Sequence, residues 1–490
     1  MAGTSTPGSL KHMNLLTHVE NRRLLLPYTN EDKTRAELGQ VFTPALVAKT
    51  MASMPQLPTF GTIRILDPGA GTGILTAAFV ERVLQERPDL SIHVTTIETD
   101  PRMVSELEKT LAECRSYGAQ ADLVHADFIQ WAQSTDKRFD VVIQNPPYFK
   151  LGAKSEVVTS LKKLGYTTPN IYAAFMALGA RLLAPDGFQV SITPRSWMNG
   201  TYYTGFRKKY LAEVSISSIH TFGSRSAVFG DSGVLQETII VCVRAAKAEK
   251  NIVLGVSQDQ HGSAHTRLVP YGHVVTDDFV FIPADDLSGE AVKWMGHALH
   301  RLEDLGLCVS TGKVVGFRSR NLLLDSPIVG AVPLIQATNI TQGKINHPRY
   351  KIKKPQWFDA LPEEAHKQLV PAGEYVLIKR FSAKEEKRRI VAAPYTASEP
   401  VAFDNKLNYI HRSGLGLDHE LALGLTRWFS AGKVDTYFRV FSGHTQVNAT
   451  DLRQMPFPSE EQLRCMARST GDIDDIVESV MMSQRKENAA

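Results

Sequence analysis

From about residue 60 to 245 the chain alternates short β-branched runs with helical stretches, and this alternation limits the possible folds more than any other feature. The strand candidates are 63–66, 92–97, 121–124, 139–143, 188–192 and 237–241. Between them lie helices such as Ile74–Glu86, where Leu75, Phe79 and Val83 recur every four residues with Ile74 and Ala78 beside them. Strands alternating with helices predict a parallel, doubly wound sheet. After the polar segment 244–250 the pattern turns irregular, with short strands, many loops and a helix near 292–305. A chain of 490 residues has room for two to four domains of about 100–200 residues each. The expected division is an N-terminal extension over 1–34, a first domain over 35–250, a second over 251–459 and a helical tail over 460–490.

Composition matters mainly for what it excludes. A hydrophobic fraction of 43% and a charged fraction of 22% are those of a globular protein, not of a disordered or collagen-like chain. No apolar run approaches 18 residues, so neither a membrane span nor a membrane partner is expected. The N-terminus lacks the basic-then-apolar signal pattern. Cys114, Cys242, Cys308 and Cys465 form no CxxC pair, which argues against a zinc ribbon or a disulfide scaffold and for a reducing, cytoplasmic setting. No metal is expected. The net charge of +4 conceals an asymmetry: residues 311–459 hold 21 Lys and Arg against 13 Asp and Glu, while the remainder holds 34 against 38. A basic region beside an acidic remainder suits a polyanionic partner for one half, with a lysine-rich solvated surface as the bland alternative.

Leu66-Asp67-Pro68-Gly69-Ala70-Gly71-Thr72-Gly73 follows a strand and opens a helix. Its glycines let the backbone turn tightly and approach a ligand. Asp67 at the strand end would repel a pyrophosphate and favour a cationic amine or sulfonium. The next strand ends at Glu98, placed to accept both hydroxyls of a ribose. The third leads to Asp127 and Phe128, where the carboxylate suits an exocyclic adenine amine and the ring suits packing on the base. Each acid alone reads as a helix cap or a solvated loop residue. Together, at successive strand ends, they imply an adenosine without phosphates and with a positive tail, S-adenosylmethionine.

The fourth strand ends in Gln144-Asn145-Pro146-Pro147-Tyr148. Two prolines fix the turn and remove backbone donors, leaving the Pro146 carbonyl rigid and free. With the Asn145 side-chain oxygen it offers two acceptors to one planar NH2 group, holding it and favouring the positive charge that develops as a methyl arrives. Tyr148 offers a face for stacking a heterocycle. A rigid turn without chemistry is the alternative.

These residues resemble the amino-group DNA methyltransferases of bacterial type II restriction–modification systems, within them the gamma class of adenine-N6 enzymes. Gly39-Gln40-Val41-Phe42-Thr43-Pro44 resembles that class's N-terminal motif, which closes over the methionine end of the cofactor. The glycine turn, Glu98, Asp127-Phe128 and Asn145-Pro146-Pro147-Tyr148 match the following motifs in order, and 169–175 and 182–187 match the connecting helix and turn. The aromatic that stacks on the target base falls at Phe229, with Phe222 as the rival position. The resemblance covers 35–245 and returns at 439–453. It implies a Rossmann-like S-adenosylmethionine-dependent methyltransferase sheet joined to a mixed α+β target-recognition domain, an overall α/β class. It further implies a cofactor site of Thr43, Asp67, Gly69, Ala70, Gly71, Glu98, Asp127, Phe128 and Asn145, and a target-base site of Asn145, Pro146, Pro147, Tyr148 and Phe229. Double-stranded DNA is the implied partner, read by base flipping by a monomer, with a cognate restriction endonuclease as functional partner. His125 reads as a packed histidine.

The basic region contributes Lys351, Lys353 and Lys354 around Tyr350, Arg380, Arg388 and Arg389 farther on, and His444 in a polar cluster. Basic side chains interleaved with aromatics suit a DNA backbone and its grooves. Glu385-Glu386-Lys387 is a faint nuclease-like spacing without an upstream Asp in context. Two other functions stay open: a methyltransferase on another planar amine (cytosine N4, RNA adenine or protein glutamine), and a non-catalytic specificity subunit.

Overall fold

The computed structural model describes residues 14–26, 42–222, 238–245, 249–258, 264–277, 279–341, 343–350, 353–382, 387–442 and 446–487. The chain divides into two compact units, Met1–Val280 and Phe281–Ala490.

The first unit is built on nine strands: β1 (Thr62–Pro68), β2 (Ser91–Glu98), β3 (Gln120–His125), β4 (Phe139–Gln144), β5 (Leu183–Pro194), β6 (Val214–Phe222), β7 (Thr238–Ala245), β8 (Asn251–Ser257) and β9 (His265–Pro270), in the order β3-β2-β1-β4-β5-β7-β6-β8-β9. The first five are parallel, as the alternation predicts. Between them run α1 (Ile74–Glu86), α2 (Pro101–Ser116), α3 (Phe128–Ser134) and α4 (Ile171–Arg181). α2 starts where Asp100 caps the Arg102 amide and Pro101 takes the first turn, a position that needs no N–H. Phe79, Val80, Leu107, Val141, Ile143 and Val190 fill the core between sheet and helices.

Beyond β5 the arrangement departs from a parallel sheet. β7 inserts antiparallel between β5 and β6, and β8 and β9 extend the far edge. The boundary expected at 250 therefore falls inside the first unit, because β8 pairs with β6 and buries Ile252 and Leu254. β6 itself is half polar, Val-Ser-Ile-Ser-Ser-Ile-His-Thr-Phe, and carries no strong strand pattern.

The second unit pairs Cys308–Thr311, Leu407–His411, Gly373–Lys379 and Ala392–Ala397 in one antiparallel sheet, and has a second sheet of five short strands. Tyr375, Leu377, Phe403 and Tyr409 pack in its core. The helix expected near 292–305 spans Asp286–Met295 instead: Asp285 caps the Ser288 amide and the helix stops before Gly296. The expected tail 460–490 is part of this unit. Glu460–Arg468 packs against His419–Ser430 so closely that a Cβ on Gly424 would sit 2.0 Å from the Leu463 carbonyl.

Candidate active site

Parallel β1 to β4 end along one edge of the sheet, so the segments that follow them converge there. After β1 the turn is tied to β2, the Gly69 and Ala70 amides donating to the Ile97 carbonyl at 2.8 and 3.0 Å. Gly69 and Gly71 hold φ of +70° and +56°, a left-handed conformation that side chains disfavour. A Cβ at either would make only ordinary contact, 3.6 Å from Phe175 and 3.7 Å from Phe42, so the backbone conformation and not space calls for glycine.

Glu98 is 5% exposed, and its carboxylate is gripped by three backbone amides. Gly71 donates to Oε2, and Thr99 and Asp100 donate to Oε1, each at 2.8 Å. A carboxylate has about four acceptor directions, so capacity remains for a ribose hydroxyl. Asp127 caps α3 through Oδ1, which accepts from the Gln130 amide at 2.9 Å, and its residue is otherwise exposed. Cap and ligand group are thus compatible roles here. Phe128 packs on Phe175 with ring centroids 4.7 Å apart, making an aromatic wall.

Thr43, Gly69, Ala70, Gly71, Glu98, Asp127, Phe128 and Asn145 line one cleft with an empty volume of about 1100 Å³, open to solvent. Asp67 does not. It is fully buried beneath the turn, where Oδ2 accepts from the Thr76 hydroxyl at 2.7 Å and amide at 3.2 Å. Its Oδ1 has no partner among the described residues, and burial pushes the carboxyl up to about 7. Asp67 therefore ties the turn to the start of α1 and supports the cleft from behind. Phe42, Ile97, Met103, Phe149, Ile171 and Phe175 line the cleft as well. Their signal was adjacency: each sits within or a few residues from a motif, and apolar strand ends or helix starts look like core.

At the end of β4 the Asn145 carboxamide is held by Thr43, Nδ2 donating to Oγ1 at 2.9 Å. The Tyr148 hydroxyl lies 2.8 Å from Asn145 Oδ1 and 3.0 Å from the Ile192 carbonyl. Burial raises its phenol well above the ordinary value. The Tyr148 ring meets Tyr172 edge-on at 6.3 Å, and Tyr172 stacks on Tyr203 at 5.7 Å. Pro147 lines the cleft and Pro146 is buried. Phe229, Lys351 and His444 lie outside the described residues.

The carboxylate, glycine floor, aromatic wall and amide side chain together fit an adenosine-bearing cofactor. Over 488 residues the chain is 37% identical to the type II methyltransferase M.PstI of Providencia stuartii, covering 95% of each. The chain belongs to the DNA methyltransferases of type II restriction–modification systems. S-Adenosylmethionine is the cofactor of this methyltransferase. M.BsuBI of Bacillus subtilis is 36% identical over 485 residues, 92% of this chain and 96% of that one. The Eco57I restriction-modification methylase family matches residues 86–229. A tRNA1(Val) (adenine(37)-N6)-methyltransferase of Citrobacter koseri is 29% identical over 143 residues, 29% of this chain and 55% of that one. Among solved structures, the type IIL restriction-modification enzyme MmeI in complex with DNA aligns with 97% of this chain and 70% of its own at 12% identity and a TM-score of 0.46, which adds nothing to the sequence relationship.

In the second unit of the methyltransferase, Lys353 and Lys354 are exposed. Arg380 is half-buried, its guanidinium 5.8 Å over the Phe381 ring and donating to the Asn405 carbonyl at 3.3 Å. Arg388 is also half-buried. Arg389 corrects the expectation: it is 1% exposed, its guanidinium donates to the Ser382 carbonyl, and its amide donates to Asp435 Oδ1 at 2.6 Å. An internal anchor cannot face a DNA backbone. Among the described residues no group of three or more His, Cys, Asp or Glu is placed to hold a metal, and no helix is long and apolar enough to cross a membrane.

Proposed function

We propose that the enzyme methylates adenine at N6 within a specific site of duplex DNA, after rotating the base out of the stack, and that it does so as a cytoplasmic monomer protecting host DNA from a partner endonuclease. The observation that carries the reading is Asn145, a lining residue of the cofactor cleft whose carboxamide is oriented by Thr43. S-Adenosylmethionine supplies a methyl activated by its sulfonium. Glu98 accepts from the ribose, while Phe128 and Phe175 pack against the adenine ring. Asn145 Oδ1 and the Pro146 carbonyl accept from the target amine, draw its lone pair out of the ring and stabilise the charge that builds on nitrogen as the N–C bond forms and the S–C bond breaks, the nitrogen then shedding one proton to solvent. Phe42, Phe149 and Ile171 give the cleft an apolar wall beside the reacting groups. Flipping costs a few kcal/mol of stacking, recovered by these contacts and by an aromatic partner that we place at Phe229.

The test is direct. DNA is incubated with methyl-labelled cofactor, digested to nucleosides and analysed by mass spectrometry. Labelled N6-methyldeoxyadenosine is expected, and its loss with Asn145→Ala. Label in N4-methylcytosine would replace the reading. The segment shared with a tRNA adenine-N6 methyltransferase supports a second reading, RNA adenine, which the same digestion of labelled RNA checks.

A further inference from the structure

A solvent-open cleft in the second unit, within the basic region, is lined by Lys313, Arg318 and Lys367, with Ser319 and Gln368 among its other lining residues. Cations elsewhere in the chain are commonly matched to carboxylates, as Arg64 is to Asp140 and Arg464 to Asp418. Those of this cleft are not. Among the described residues Lys313 Nζ donates only to the Leu369 carbonyl at 2.9 Å, leaving two ammonium hydrogens, and Lys367 and Arg318 have no carboxylate partner. The single acid in the lining, Glu364, accepts from the neutral Asn321 amide at 3.1 Å.

The cations are held on a fixed frame. The Val314 amide donates to the Phe403 carbonyl at 3.0 Å, and Ser319, 4% exposed, donates to Gln368 Oε1 at 2.6 Å. Beside the cleft Phe317 is 79% exposed, and the Arg318 guanidinium lies over its ring 5.3 Å from the centroid. The rest of the Phe317 ring faces solvent and offers a stacking surface to an apolar partner. Three cations against one carboxylate around a polar concavity, next to an exposed ring, match the alternation of phosphate and sugar along a nucleic-acid strand.

We infer that this cleft binds the phosphodiester backbone of duplex DNA, with Lys313, Arg318 and Lys367 on phosphates and Phe317 against the adjacent sugar. The assignment rests on DNA being the substrate. It supplies sequence-independent affinity and fixes the register of the second unit on the duplex.

The experiment measures binding of the full chain to a random-sequence duplex by fluorescence anisotropy between about 50 and 200 mM salt. The Lys313→Ala/Arg318→Ala/Lys367→Ala variant is expected to bind more weakly, with the slope of log affinity against log salt shallower by about 2.7, roughly 0.9 per phosphate lost. Lys137→Ala/Arg138→Ala, at the opposite end of β4 from the tetrapeptide, serves as the control and should match the parent. Parental affinity and slope in the triple variant would overturn the inference. Failure of the parent to bind any duplex would instead overturn the reading of DNA as substrate. Calorimetric binding of S-adenosylmethionine checks that the triple variant is folded. If it is not, the single Lys367→Ala variant decides: a slope shallower by about 0.9 supports the cleft, and an unchanged slope rejects it.

Discussion

The amide nitrogen of Asn145 donates to the hydroxyl of Thr43 across 102 positions of sequence at 2.9 Å. This one bond joins the N-terminal motif to the tetrapeptide and decides which face of the carboxamide looks into the cleft. An Asn amide can flip with little steric cost, and only the hydrogen-bond network distinguishes its ends.

Replacing Thr43 by Val keeps the shape and removes the acceptor. Removing one partner of a part-buried hydrogen bond costs about 1–3 kcal/mol, so kcat should fall roughly tenfold to a hundredfold. The KM for DNA should change little, because the bond orients a reacting group. Thr43→Ser should recover most of the rate. Single-turnover methylation of a labelled duplex separates these, and equal rates for Val and Ser would show that the hydroxyl does not orient Asn145.

Tyr148 competes for the oxygen that the target amine needs. Its hydroxyl sits 2.8 Å from Asn145 Oδ1 and 3.0 Å from the Ile192 carbonyl, so an arriving amine shares the two lone pairs of that oxygen with it. Tyr148→Phe keeps the ring and removes the competitor. A neutral hydrogen bond is worth about 0.5–1.5 kcal/mol net, which predicts a few-fold tighter hold on a flipped base. Tyr148→Ala should lose that hold altogether. The fluorescence of 2-aminopurine placed next to the target adenine, which unstacks when that adenine leaves the helix, reports both, with Phe brighter than the parent and Ala dimmer.

Glu98 should be the most sensitive cofactor residue. Three amides converge on its two oxygens, and a Gln can present only one acceptor oxygen to them. Its NH2 would face a donor. Loss of charge-assisted bonds worth about 1.5–3 kcal/mol each predicts an affinity for S-adenosylmethionine at least tenfold weaker in Glu98→Gln, read by calorimetry.

Asp67 shows where reading residues in order falls short. Its place at the strand end was legible, as were the glycine turn, Glu98 and Asn145, because parallel β-strands force their following segments to one edge. What hid its role is Thr76, nine residues on, whose hydroxyl and amide turn the carboxylate inward. Arg389 was misplaced for the same reason at longer range: Asp435, 46 positions away, draws the backbone at Arg389 into the interior. β8 looks like a new domain until β6 supplies its partner. Local pattern reveals where a chain turns, and distant partners decide which side chains that turn exposes.

The same buried carboxyl makes stability depend on pH. Burial raises Asp67 from 3.8 to about 7, so the folded state holds a proton that the unfolded state releases near 4. Its stabilising contribution is complete below about pH 4 and is lost as pH rises through about 7. Above that the charged form costs on the order of 4 kcal/mol. Asp67→Asn retains an oxygen for Thr76 and has no charge to bury. The difference in unfolding free energy between variant and parent should be flat below pH 4, grow in favour of the variant from 4 to 7, and level off above. Urea titrations at intervals across that range test it. A constant difference would mean that Asp67 finds a partner for its charge.

Arg389 and the exposed pair Lys353 and Lys354 should separate folding from binding. Arg389→Ala removes a guanidinium bonded to Ser382 inside the second unit, and leaving that buried carbonyl without its donor costs about 1–3 kcal/mol. The expected result is a lower urea midpoint, with the salt dependence of DNA binding in the folded fraction unchanged. Lys353→Ala/Lys354→Ala, on exposed residues, should do the reverse: the midpoint holds within about 0.5 kcal/mol, and the salt slope becomes shallower by up to about 1.8. Urea midpoints and anisotropy titrations on both variants read the two effects independently. If Arg389→Ala kept its midpoint and lost slope, the arginine would reach the DNA after all, and the second unit would have to open at 389 to let it.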